Sequence, residues 1–153
     1  MSWRDTQAYI QHNWLLNEAK EVINAELKAK VEAGEIEASY GRKDDWLNVI
    51  HLCNYEMLRS VDVCTQYARD MVILMRIHNL SSETCRTALT YICSYINATN
   101  SVYLWNRDGY RFNLRYCLWK YFGIKKPLNY DTLRYVLNYD LIGNENEEVV
   151  IVS

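Results

Sequence analysis

"VYLWNRDGYRFNLRYCLWKYFGIKK", residues 102–126, decides how the last third of this chain is read. Eight aromatic rings and six basic side chains share the stretch with a single acid, Asp108. Residues 110–116, "YRFNLRY", alternate apolar and polar without a break, the two-residue period of a half-buried strand. "VYLW" precedes them, and the "NRDG" between has turn chemistry, its glycine supplying a positive φ. The spacing predicts a β-hairpin. A competing reading is a helix over 111–122, in which Phe112, Tyr116 and Trp119 align. "CLWKYF" is helical in either case, and Gly123 ends it.

On a strand, Arg111, Asn113 and Arg115 project to one face and Tyr110, Phe112, Leu114 and Tyr116 to the other. Rings and cations then point apart: the aromatic face packs on helices and the basic face meets solvent. Arg111, Arg115, Lys120, Lys125 and Lys126 are therefore candidate binding residues. Tyr103 and Trp105 join them if the hairpin register turns them to the same side.

Downstream, Pro127 forbids continuation and Asn129 caps a last helix of about 130–142, with Leu133, Val136, Leu137 and Leu141 facing inward and Gly143 as its stop. The C-terminal tail, "NENEEVVIVS", is acidic and then apolar. It reads either as a mobile terminus or as a strand, "VVIV", added to the hairpin or to a neighbouring subunit.

Upstream, the period is helical. A long amphipathic helix spans about 3–33, with Ser2 as cap, Leu16, Ala19, Ile23, Leu27 and Val31 on one stripe, and Gly34 as the stop. "GEIEASYG" reads as a loop. From Asp44 or Asp45 to about His78, apolar residues recur every three or four positions: Trp46, Ile50, Cys53, Met57, Val61, Cys64, Ala68, Met71 and Met75. A third helix starts after Ser81, carries Cys85, Ala88, Leu89, Ile92, Tyr95 and Ile96 inward, and ends in "NATNS". The expected architecture is mainly α: a single-domain bundle of four to five helices with one late β-hairpin, over residues 1–143, with a tail over 144–153.

A chain of 153 residues with 50% hydrophobic and 24% charged content can bury a core, and one proline with five glycines implies short loops. No apolar run approaches the roughly 18 residues of a membrane span, and the N-terminus lacks the apolar centre of a signal peptide. Five cysteines without close spacing read as reduced core thiols of an intracellular, cytoplasmic protein. On that reading the N-x-S/T triplets at Asn79 and Asn97 are chance matches. Charge is segregated: residues 1–50 carry nine acids and six bases, whereas 107–134 carry seven bases against Asp108 and Asp131.

Motifs of catalysis are missing. Cys53 and Cys64 lie on one helical face, but eleven residues separate them by about 16 Å, far beyond the reach of one zinc ion. No G-x-S-x-G, S-x-x-K or phosphate-binding glycine loop occurs, and His12, His51 and His78 fall on separate elements. The expectation is a non-enzymatic chain without cofactor or metal. Its leading reading is a protein-interaction or assembly module, self-associating or holding a protein partner, that uses the basic aromatic surface and no membrane. The alternative is single-stranded nucleic-acid binding, for which five phosphate contacts give a log–log salt slope of roughly −3.5 to −4.5.

Overall fold

In the computed structural model, residues 3–35, 61–107 and 110–139 are described. They form α1 (Trp3–His12), α2 (Trp14–Glu32), α3 (Val61–His78), α4 (Ser82–Ala98), α5 (Val102–Trp105), α6 (Tyr110–Phe122) and α7 (Tyr130–Leu137). The protein is mainly α, and there is no β-strand among the described residues.

The expected hairpin is therefore absent. "VYLW" makes the single turn of α5, which sends Trp105 into the core at 1% exposure, and "YRFNLRY" opens α6. The reason lies further along the same helix, beyond the seven alternating residues. Leu114, Cys117, Leu118 and Tyr121 are all buried, a spacing of three and four that only a helix places on one side. A helix also satisfies its own backbone groups, whereas a strand here would need a partner ladder. The competing helical reading of 111–122 is the one that holds.

α4 is the hub. It packs against α2 most extensively, and also against α7, α6, α3 and α1, while α3 lies along α6. Cys85, Ala88, Leu89, Ile92, Cys93, Tyr95 and Ile96 are its buried positions, a stripe wide enough to serve several neighbours at once. Leu16, Ala19, Ile23 and Leu27 from α2, and Cys64, Ala68, Met71 and Met75 from α3, join the same core, each fully buried. A fully buried Leu or Ile contributes about 1.5–3 kcal/mol. Leu133 and Val136 of α7 close the core from the other side.

Most helix ends match the sequence signals, but α7, expected to run to about 142, ends at Leu137 with Asn138 as its C-cap. Gly34 has φ +75°, and the Glu35 N–H to Lys30 carbonyl bond of 2.8 Å with the Gly34 N–H to Val31 bond of 3.0 Å form a Schellman cap. Gly123 has φ +70°, and its N–H reaches the Trp119 carbonyl at 2.9 Å. Asn100 adopts φ 51° beyond α4 and plays the same part. Asn129 Oδ1 accepts from the Thr132 N–H at 2.9 Å at the start of α7. The helix expected over 3–33 is instead broken at Asn13, where i→i+3 bonds, Asn13 to Ile10 and Leu16 to Asn13, interrupt the ladder. That break and the one-turn α5 add segments to the four or five expected. Ser2, Trp46, Ile50, Cys53, Met57, Leu141, Gly143, the "GEIEASYG" loop beyond Glu35 and the 144–153 tail lie outside the described residues.

α2 is tied to the start of α4 by a polar clamp. Ser81 caps α4, its Oγ accepting from the Thr84 N–H at 3.2 Å. The Glu26 carboxylate accepts from the Ser81 N–H at 2.7 Å and from its hydroxyl at 2.8 Å. In a capping box the third helical residue supplies that carboxylate; here it comes from another helix. Burial pushes Glu26 up, but hydrogen bonds from Thr84 and Ser81 outweigh it, and the carboxyl lies below its ordinary 4.5.

Ser81→Ala removes the cap and one arm of the clamp, with an expected loss of about 0.5–2 kcal/mol in chemical denaturation. Because the folded value is depressed, the Glu26 contribution is complete above the ordinary carboxylate range and is lost as pH falls through the folded value. A Glu26→Gln chain is thus expected to be less stable than the parent at neutral pH and to approach it in acid. A stability gap that does not narrow in acid contradicts the clamp.

Candidate functional site

α6 carries two opposed faces. Its inner side is the Leu114, Cys117, Leu118 and Tyr121 stripe. Its outer side holds Arg115, Tyr116, Trp119 and Lys120, spaced so that 115 and 119, and 116 and 120, are one helical turn apart. Trp119 is 49% exposed, a large apolar surface left in water. Its ring lies 5.9 Å from that of Tyr116 at a tilt of 56°. With Ile124 and Lys125 beyond the helix end, Arg115, Tyr116 and Trp119 line an open hollow of about 450 Å³.

The last turn of α3 borders the same face. The Arg76 guanidinium sits 4.5 Å from the Tyr116 ring centroid, and its Nη1 donates to Asn113 Oδ1 at 2.7 Å. Lys120 Nζ donates to Asn79 Oδ1 at 3.0 Å and lies 5.4 Å from the Tyr121 ring. These acceptors are neutral amides, which orient the cations without cancelling their charge. The ion pairs among the described residues are Lys20–Glu21, Lys30–Glu35 and Arg134–Asp131, and none includes Arg76, Arg115, Lys120 or Lys125.

Of the residues singled out in the sequence, Arg115 and Lys125 line the hollow, and Lys120 stands beside it, bonded across to Asn79. Lys126 is half-buried and engaged within the chain. Arg111 belongs to α6, but its side chain lies outside the described residues. Tyr103 is 55% exposed on α5 and is not among the residues of the hollow. Trp105 belongs to the core. Sequence reasoning missed Trp119, Tyr116 and Arg76 as surface residues. The four-residue spacing of Arg115 with Trp119 and of Tyr116 with Lys120 was the signal at hand, and it becomes visible only when 110–122 is read as a helix.

Other chemistry is thin. Cys64, Cys85, Cys93 and Cys117 are buried free thiols, and burial pushes Cys93 and Cys117 up to about 12. His78 is buried, and burial together with Lys30 lowers it. No group of three or more His, Cys, Asp or Glu that could hold a metal occurs among the described residues. Nor is any helix among them long and apolar enough to cross a membrane. A second cleft, of about 480 Å³, lies between α4 and α7 beside Phe122. Its Arg86 is committed to structure: Nε donates to the Tyr121 carbonyl at 2.8 Å, satisfying one of the open acceptors at the end of α6. Comparison with protein-family models, with curated proteins and with solved structures finds no match.

The two tryptophans are expected to separate site from core. Trp105→Ala should cost about 3–5 kcal/mol of unfolding free energy. Trp119→Ala should cost about 1 kcal/mol or less. Equal losses for the two in urea denaturation contradict the exposed position of Trp119.

Proposed function

We propose that this chain is an intracellular interaction and assembly module whose contact surface is the outer face of α6 with the last turn of α3. The observation that carries the reading is the half-exposed Trp119, set among Arg115, Lys120 and Lys125, none of which is in an ion pair among the described residues. Exposed aromatic rings flanked by arginine are the composition of interface centres. Cations left without carboxylates favour an acidic partner and speed its encounter. Four buried thiols suit a reducing compartment. The partner this face suits is an acidic protein segment with apolar residues that can lie against Trp119 and Tyr116.

One observation favours a second reading. The helix sets ring and cations side by side, the arrangement a strand would have denied, so a base could stack on Trp119 with phosphates at Arg115 and Lys125. Such stacking contributes about 1–3 kcal/mol per base.

Titration with a short peptide of alternating glutamate and leucine, and separately with a short oligothymidylate, distinguishes the two. The peptide is expected to bind, more weakly as salt rises, and to lose binding in Arg115→Glu/Lys120→Glu and in Trp119→Ala. Binding of the oligonucleotide alone replaces the first reading by the second. Binding of neither at low salt removes both.

A further inference from the structure

The α6 hollow has a basic rim and an apolar floor. Arg115 and Lys125 line it with Trp119 and Ile124, and Lys120 stands at its edge. An occupant must present carboxylates to the rim and aliphatic side chains to the floor. The chain itself encodes such a segment. Residues 144–153, "NENEEVVIVS", place Glu145, Glu147 and Glu148 directly before Val149, Val150, Ile151 and Val152. Nowhere else in the chain does a run of three acids within four positions meet four consecutive β-branched residues.

Resting on the contact surface proposed for α6, we infer that the occupant of the hollow is the 144–153 segment of a second copy of this chain. Glu145, Glu147 and Glu148 pair with Arg115, Lys120 and Lys125, and the valine–isoleucine run covers the exposed ring of Trp119 beside Tyr116. Trp119 keeps 49% of its surface open, so the hollow is accessible to an incoming segment. Each copy offers one hollow and one segment, which are different surfaces. The contact is therefore heterologous, and it closes into a ring or extends head to tail according to its rotation. A fraction of each contact is charge pairing at the surface, so assembly weakens as salt rises.

Light scattering on the full chain over a concentration series tests this. Particle mass is expected to rise with concentration, to fall with salt, and to return to monomer in two separate variants, Glu145→Lys/Glu147→Lys/Glu148→Lys and Arg115→Glu/Lys120→Glu/Lys125→Glu. Mixing those two variants, or combining all six changes in one chain, is expected to restore association, because the reversed segment then meets a reversed rim. A synthetic peptide of residues 144–153 should bind the parent and dissociate the assembly, with affinity lowered at least about tenfold by the rim reversals. Circular dichroism of each variant establishes that helicity is retained.

A parent that stays monomeric at every concentration overturns the inference, as does assembly that survives deletion of 144–153. A segment that binds only within its own chain, seen as peptide competition without any change of mass, overturns it too. If the glutamate–leucine peptide binds the hollow while the 144–153 peptide does not, the interaction surface stands and only its assignment to this chain's own segment falls.

Discussion

Burial of Leu114, Cys117, Leu118 and Tyr121 against α3 and α4 is the constraint on which the rest of the molecule turns. Once those four side chains must face one way, the backbone between residues 110 and 122 has to be helical, and the opposite side is assigned by default. It receives Arg115, Tyr116, Trp119 and Lys120. The hydrophobic effect, which is indifferent to direction, thus fixes the placement of the directional groups. The ring of Tyr116 under Arg76 and the Lys120 bond to Asn79 then lock the outer side of α6 to the end of α3.

Most of the helical frame is legible in the sequence because its signals are local. Ser81, Asn129, Gly34 and Gly123 each act on the nearest turn, through a hydroxyl or amide acceptor or through a positive φ, and each stands where the sequence places it. The three-and-four spacing of Leu16, Ala19, Ile23 and Leu27 needs no knowledge of its packing partners. The hairpin was a different matter. In "YRFNLRY" the rings fall on every other position, so seven residues match a two-residue period, and the helical stripe is completed only by residues further on. Aromatic residues on both faces of α6, Tyr116 and Trp119 outside and Tyr121 and Phe122 inside, blur its polarity, and tertiary packing on α4 decides what local pattern cannot.

The residues proposed for binding are legible as a segment but not as a surface. Composition picks out Arg115, Lys120 and Lys125, because a run of bases with few acids is visible without a fold. Whether a ring lies in water or in the core depends on helix phase, and on that Trp105 and Trp119 part company although they lie only fourteen residues apart. Arg76 was hidden for another reason. It interrupts the apolar run "MVILMRI", and only the packing of α3 along α6 brings it over Tyr116.

Asn79 has two duties: its backbone takes φ 51° where α3 ends, and its side-chain oxygen holds Lys120. It is also the first residue of the triplet Asn79-Leu80-Ser81. An oligosaccharide attached to that amide would stand directly over Lys120 and shield the neighbouring rings. Such a sugar would obstruct the contact proposed for the α6 face. The three residues that end one helix and begin the next thus tie the contact proposed for the cationic face to a setting without glycosyl transfer.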